Sequence, residues 1–110
     1  MANHYEQDQQ SLMLHTEAIN RMRDNPALID RALSILERWM KKTTHPSFLE
    51  WQRILQERDW DAALSISEYG NQIRQSSPCS CTLPDDVRLR IIRQCRAFIT
   101  KDKTKLRDGL

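Results

Sequence analysis

The chain has 110 residues, 39% hydrophobic and 29% charged, with a formal net charge of +2. That length admits one domain able to bury a modest core without staples. The balance excludes a disordered polyelectrolyte, and the absence of any apolar run near about 18 residues excludes a membrane-spanning helix.

Only two glycines occur, Gly70 and Gly109. So few residues that take positive φ cheaply argue against tight hairpins and against a glycine-rich phosphate loop. An all-α fold is expected, a small bundle of four to five helices with a frayed N-terminus and a charged C-terminal tail. The plan is a flexible segment over 1–9, one helical domain over 10–100 and a basic flexible tail over 101–110.

The first residues, Met1 to Gln10, are polar and lack the apolar middle of a signal peptide. A first helix is expected from Gln10 to Arg23, with Leu12, Ile19 and Met22 inward and His15 and Thr16 interrupting the stripe. Asp24-Asn25-Pro26 ends it, because proline disfavours helix in the residue before it.

The second helix is the clearest. Asn25 suits the N-cap and Pro26 the first helical position. Leu28, Ile29, Ala32, Leu33, Leu36, Trp39 and Met40 recur at three- and four-residue steps and form one apolar face. Lys41 and Lys42 close the last turn, where cations meet the negative end of the helix dipole.

After Thr43-Thr44-His45-Pro46, the run Ser47-Phe48-Leu49-Glu50 reads as a capping box, with Ser47 as the cap. Phe48, Trp51, Ile54 and Leu55 then form the buried face of a third helix that ends near Arg58. Asp59 can cap a further helix from Trp60. Gly70 leaves two outcomes, one kinked helix to Arg74 or two short ones, since glycine costs about 1 kcal/mol in a helix interior. Ser76 to Cys81 is a loop of small residues around Pro78. The last helix opens near Thr82, expected to cap it, with Asp85 and Asp86 in its first turn. Val87, Ile91, Ile92, Cys95, Phe98 and Ile99 are expected to face inward.

Charge is distributed unevenly. Residues 1–81 carry 9 basic and 11 acidic groups, whereas residues 82–110 carry 8 basic and 4 acidic. Arg90, Arg93 and Arg96 fall on the side of the last helix away from its apolar residues, and Lys101, Lys103, Lys105 and Arg107 extend the positive charge. Such a row can neutralise nucleic-acid phosphates or dock an acidic protein surface, and otherwise it is a solvated face. Having no Asn, and only Gln94 at its edge, it suits backbone contact better than base readout.

Phe48, Trp51 and Trp60 are the candidate aromatic interface, because tryptophan is enriched at binding hot spots. The competing assignment, a core built from the same side chains, is favoured in so short a chain.

No metal site is expected. Three cysteines, Cys79, Cys81 and Cys95, are fewer than structural zinc wants, and the first pair is separated by one residue, not two to four. That spacing also strains a redox pair. An odd cysteine number with no leader suits free thiols in a reducing cytoplasm. His4, His15 and His45 show no spacing to a carboxylate or nucleophile that specifies catalysis. The chain therefore reads as non-enzymatic, without cofactors: a cytoplasmic protein-binding or regulatory module of the adaptor, inhibitor or antitoxin kind. The alternative is a nucleic-acid-binding module using the arginines of the last helix and the lysine tail. A protein is the expected partner, no membrane is, and a homodimer would cover leftover apolar surface.

Overall fold

Helix-forming periodicity becomes six α-helices and one 3₁₀ turn, with no strand among the described residues. The computed structural model describes the backbone of residues 3–108 and the side chains of residues 5–99. The chain is all-α. It exceeds the expected helix count because the Trp60–Arg74 segment divides in two.

Helix α1 spans Asn3–Asp24 and starts earlier than its apolar pattern indicates. Its polar interruptions are absorbed locally. Thr16 donates its hydroxyl to the carbonyl of Leu12 at 2.7 Å, and His15 Nδ1 sits 2.7 Å from the carbonyl of Ser11. His15 therefore joins Ala18, Ile19 and Met22 on the buried face, while Leu12 is only half-buried. Helix α2, Ala27–Lys42, buries Ile29, Ala32 and Leu36. The Asn25 side chain accepts from the Ala27 N–H at 3.2 Å, so asparagine supplies the start.

Helix α3, Pro46–Glu57, is capped by His45, not by Ser47. His45 Nδ1 accepts from the Ser47 N–H at 3.1 Å and Pro46 takes the first turn, which leaves Ser47 inside the helix. Glu50, freed from the capping box, pairs with Arg53. Arg58 ends the helix in the left-handed region at φ 58°, a role usually taken by glycine or asparagine. Asp59 then caps α4, Trp60–Ala63, accepting from the Ala62 N–H at 3.3 Å.

Helix α5, Glu68–Arg74, restarts under a Ser67 cap. The break before it is explained at Gly70. A Cβ there would stand 2.2 Å from the carbonyl oxygen of Ser65, so the chain folds back closely enough to require glycine. The loop after α5 contains the 3₁₀ turn Cys79–Thr82. Thr82 spends its hydroxyl on the carbonyl of Cys79 at 2.7 Å and does not cap the last helix; α6, Asp85–Asp108, begins directly behind Pro84.

Trp51 is fully buried in a core whose other large, fully buried side chains include Ile19, Met22, Leu36, Ile54, Leu55 and Cys79. Its indole N–H donates to the carbonyl of Ile73 at 2.6 Å, tying α3 to α5. Helix α1 packs against α6, α5, α2 and the 3₁₀ turn, so it is the element that unites the fold. It runs antiparallel to α6: Glu6 acts on Cys95, while Glu17 and Asn20, further along α1, share a cavity with Ile91, earlier on α6.

Candidate functional site

The buried row of α6 is Val87, Ile91, Cys95 and Ile99. Steps of four overshoot a full turn by about 40°, so the contact line rotates around the helix as it proceeds. By the level of Ile99 it has moved about 100° from the direction of Phe98. Phe98, expected inward, is for this reason 59% exposed. Leu89, nearly opposite the early part of the row, is exposed as well.

The same geometry governs the arginines. Arg90, Arg93 and Arg96 are all exposed, but steps of three turn each successive side chain by about 60°. They fan around α6 and do not form one narrow stripe. Arg90 flanks the α1 side, Arg93 takes the crest and Arg96 lies on the far flank beside Leu89 and Ile92. Lys101, Lys103 and Lys105 continue on the backbone of α6, but their side chains lie outside the described residues.

The aromatic interface does not form. Phe48 and Trp51 are buried, and half-buried Trp60 packs against the core. Two of the three rings are taken up by the interior, and the third lies against it. The apolar side chains that do reach the surface include Tyr5, 54% exposed at the start of α1, and Phe98.

Between α1 and α6 lies a groove of about 290 Å³. Leu12, Met13 and Ile91 supply its apolar floor, with Thr16, Asn20 and Gln94 among its polar rim. Ile91, Gln94 and Phe98 follow one another at steps of three and four, so Phe98 stands one turn beyond the groove on the same side of α6. On α1 the positions 5, 9, 12 and 16 share a face, which places Tyr5 in line with Leu12 and Thr16. An exposed aromatic on each helix thus continues a half-buried apolar seam. No family model, curated protein or solved structure matches this chain.

Cysteine and histidine chemistry is dispersed. Cys79 is buried, and burial pushes its thiol up to about 12; Cys95 is buried too and shifted upward for the same reason, while Cys81 is exposed. No group of three metal-binding side chains occurs among the described residues. His45 is occupied with capping α3 and packs on Phe48, ring centroids 5.4 Å apart. His15 is held down to about 4, first by burial and then, against the help of the Ser11 carbonyl, by the charge of Arg74.

Arg53 gathers Glu50, Glu57 and Asp59 at the junction of α3 and α4. Its hydrogen bond holds the Glu50 carboxyl below its usual range, and the network fixes the turn that presents the Asp59 cap. Tyr5 and Phe98 are not legible as surface groups in the sequence: the polar run around Tyr5 carries no helical stripe, and Phe98 fits the apolar wheel when the drift of the contact line is ignored.

Proposed function

We propose that the chain is a non-enzymatic protein-binding module, an adaptor or inhibitor, whose contact surface is the α1–α6 face. The observation that carries this is the run of exposed and half-buried apolar groups beside the groove: Tyr5, Leu12 and Met13 on α1 and Phe98 on α6, with the buried Ile91 as part of the groove's floor. A partner helix laid along such a seam would seat its apolar anchors in the groove and meet Thr16, Asn20, Gln94 and the Arg21-paired Glu17 at the rim. Phosphate backbones gain nothing from that floor, which favours protein over nucleic acid at this face. Free thiols at Cys79, Cys81 and Cys95 suit a cytoplasmic setting. No described helix is long and apolar enough to cross a membrane.

The test is affinity capture from the native cell with and without nuclease, using the wild-type chain beside Phe98→Glu and Leu12→Lys. A stoichiometric protein recovered by wild type and lost by both variants, each still folded by circular dichroism, is the expected result. Retention of that protein by both variants, or its loss on nuclease treatment alone, would sink the reading.

A further inference from the structure

A second surface, at the end of α2, carries a different chemistry from the α1–α6 seam. A cavity of about 330 Å³ there is walled by Arg38, Trp39, Lys41 and Lys42. Three of its four walls are cations and the fourth is an indole. No carboxylate lines it; Glu37, the neighbouring acid in the chain, is not among its walls. Among the ion pairs of the described residues none involves Arg38, Lys41 or Lys42, so no described carboxylate is paired with them.

Trp39 is held in place from behind. It packs on Phe48 with ring centroids 5.7 Å apart and planes at 42°, and Phe48 in turn packs on His45, the α3 cap. Half-buried and braced in this way, the indole contributes a fixed wall to the cavity, and a ring that binds by stacking loses little freedom when already ordered.

We infer that this corner binds single-stranded nucleic acid, the cations tracking phosphates and Trp39 receiving a base. Sequence-tolerant single-strand binding uses this pairing of positive groove and aromatic platform, since every base has a π-face. An acidic protein segment would use the cations but leave the indole idle, which is why nucleic acid fits better. The backbone does not help. Lys41 and Lys42 stand at the carbonyl end of α2, where the helix dipole repels anions. Side-chain charge must carry the attraction, so binding here is modest and salt-sensitive. This site is separate from the arginines of α6 and independent of the protein-binding seam.

The experiment is fluorescence anisotropy of a short labelled oligodeoxythymidylate with the full chain at low salt. Four variants are compared, each checked for fold by circular dichroism: Trp39→Leu, Trp39→Phe, a triple Arg38→Ala, Lys41→Ala, Lys42→Ala, and a triple Arg90→Ala, Arg93→Ala, Arg96→Ala. Saturable binding is expected, with log K falling against log salt at a slope of about −2 for three phosphate contacts. The α2 triple variant should abolish it and Trp39→Leu should weaken it about tenfold, with Trp39→Phe restoring much of the loss. Heparin and polyglutamate, which lack bases, should bind wild type and Trp39→Leu equally. Absence of saturable binding, equal affinity of the α2 triple variant, or loss confined to the α6 triple variant overturns the proposal. So does polyglutamate binding as tightly as the oligonucleotide, which would assign the corner to acidic proteins.

Discussion

The imidazole of His15 stacks on the indole of Trp51, with ring centroids 5.6 Å apart and 26° between the planes. The pair joins α1 to α3 in the middle of the core, and His15 Nε2 has no hydrogen-bond partner there. Burial is the first cause that holds this histidine to about 4, and the neighbouring Arg74 charge acts in the same direction. The pair is stable because the imidazole is neutral.

Acid should therefore weaken the fold through this one group. An unfolded histidine, at 6.5, takes up a proton that the folded one refuses until about pH 4. The stabilisation is whole above pH 6.5, declines as pH falls toward 4 and is spent below that. The total is about 3 kcal/mol at 1.36 kcal/mol per pH unit. Urea denaturation at pH 7 and pH 4.5, wild type against His15→Phe, isolates it from the carboxylates that titrate in both. Parallel pH dependences in the two proteins would contradict the assignment.

Trp51 supplies both volume and a hydrogen bond. Trp51→Ala should cost about 3–5 kcal/mol, as large-to-small changes in cores do. Trp51→Phe separates the parts: it keeps most of the packing but leaves the Ile73 carbonyl without its donor, for about 1–3 kcal/mol. Denaturant midpoints measure both. A loss below about 1 kcal/mol for Trp51→Ala would place the ring outside the core.

Arg74 is 3% exposed and has no carboxylate in contact. Its guanidinium instead donates to the carbonyls of Ala63 at 2.8 Å and Ser65 at 3.0 Å and to Asn71 Oδ1 at 2.7 Å. Burial lowers its pKa from the free value. The side chain closes α4 onto α5 by satisfying carbonyls that the short helix leaves open. Lysine presents one ammonium where the fork serves three acceptors, so Arg74→Lys should cost about 2–4 kcal/mol despite conserving charge. Thermal melts of the two proteins decide the matter: a change of less than about 2 °C would show that the fork is dispensable.

Gly70 makes a prediction against helix propensity. Alanine is favoured over glycine by about 1 kcal/mol in a helix interior. Here the added Cβ meets the Ser65 carbonyl at 2.2 Å, a contact that backbone movement alone can relieve. Gly70→Ala should thus destabilise by about 1–3 kcal/mol, with Ser67 losing its grip on the Gly70 N–H as α5 shifts. An unchanged or raised midpoint would mean the turn has room.

The sequence disclosed those parts of the fold that depend on periodicity and capping. The α2 face, the Asp59 cap and the core row Val87, Ile91 and Cys95 follow from spacing alone. What it concealed depends on tertiary neighbours. His45 takes the cap from Ser47 because its ring is anchored on Phe48. His15 and Arg74 enter the core because backbone carbonyls happen to stand within reach, and no local pattern announces such acceptors. Phe98 comes out because the line of contact drifts around α6, a consequence of how two helices cross. The candidate seam combines both kinds of information. Leu12 and Ile91 are visible as apolar positions, but that Leu12 is left partly uncovered together with Tyr5 and Phe98 appears only in three dimensions.

The three thiols should separate cleanly by reactivity. Cys81 is exposed on the 3₁₀ turn, whereas Cys79, two residues earlier, is buried and its N–H donates to Ser77 Oγ at 3.0 Å. A thiol held at about 12 is thiolate in about one molecule in 10⁴ at pH 8, and the thiolate is the reacting species. Cys95 is shielded by the packing of α6 on the core. A thiol-reactive chromophore should therefore label one equivalent promptly and the other two only with unfolding, and Cys81→Ser should remove the prompt phase. The same measurement bears on redox chemistry at this turn. Two prompt equivalents from Cys79 and Cys81 together would mean the turn opens readily enough for the pair to act jointly, and the burial of Cys79 would then describe only one of its states.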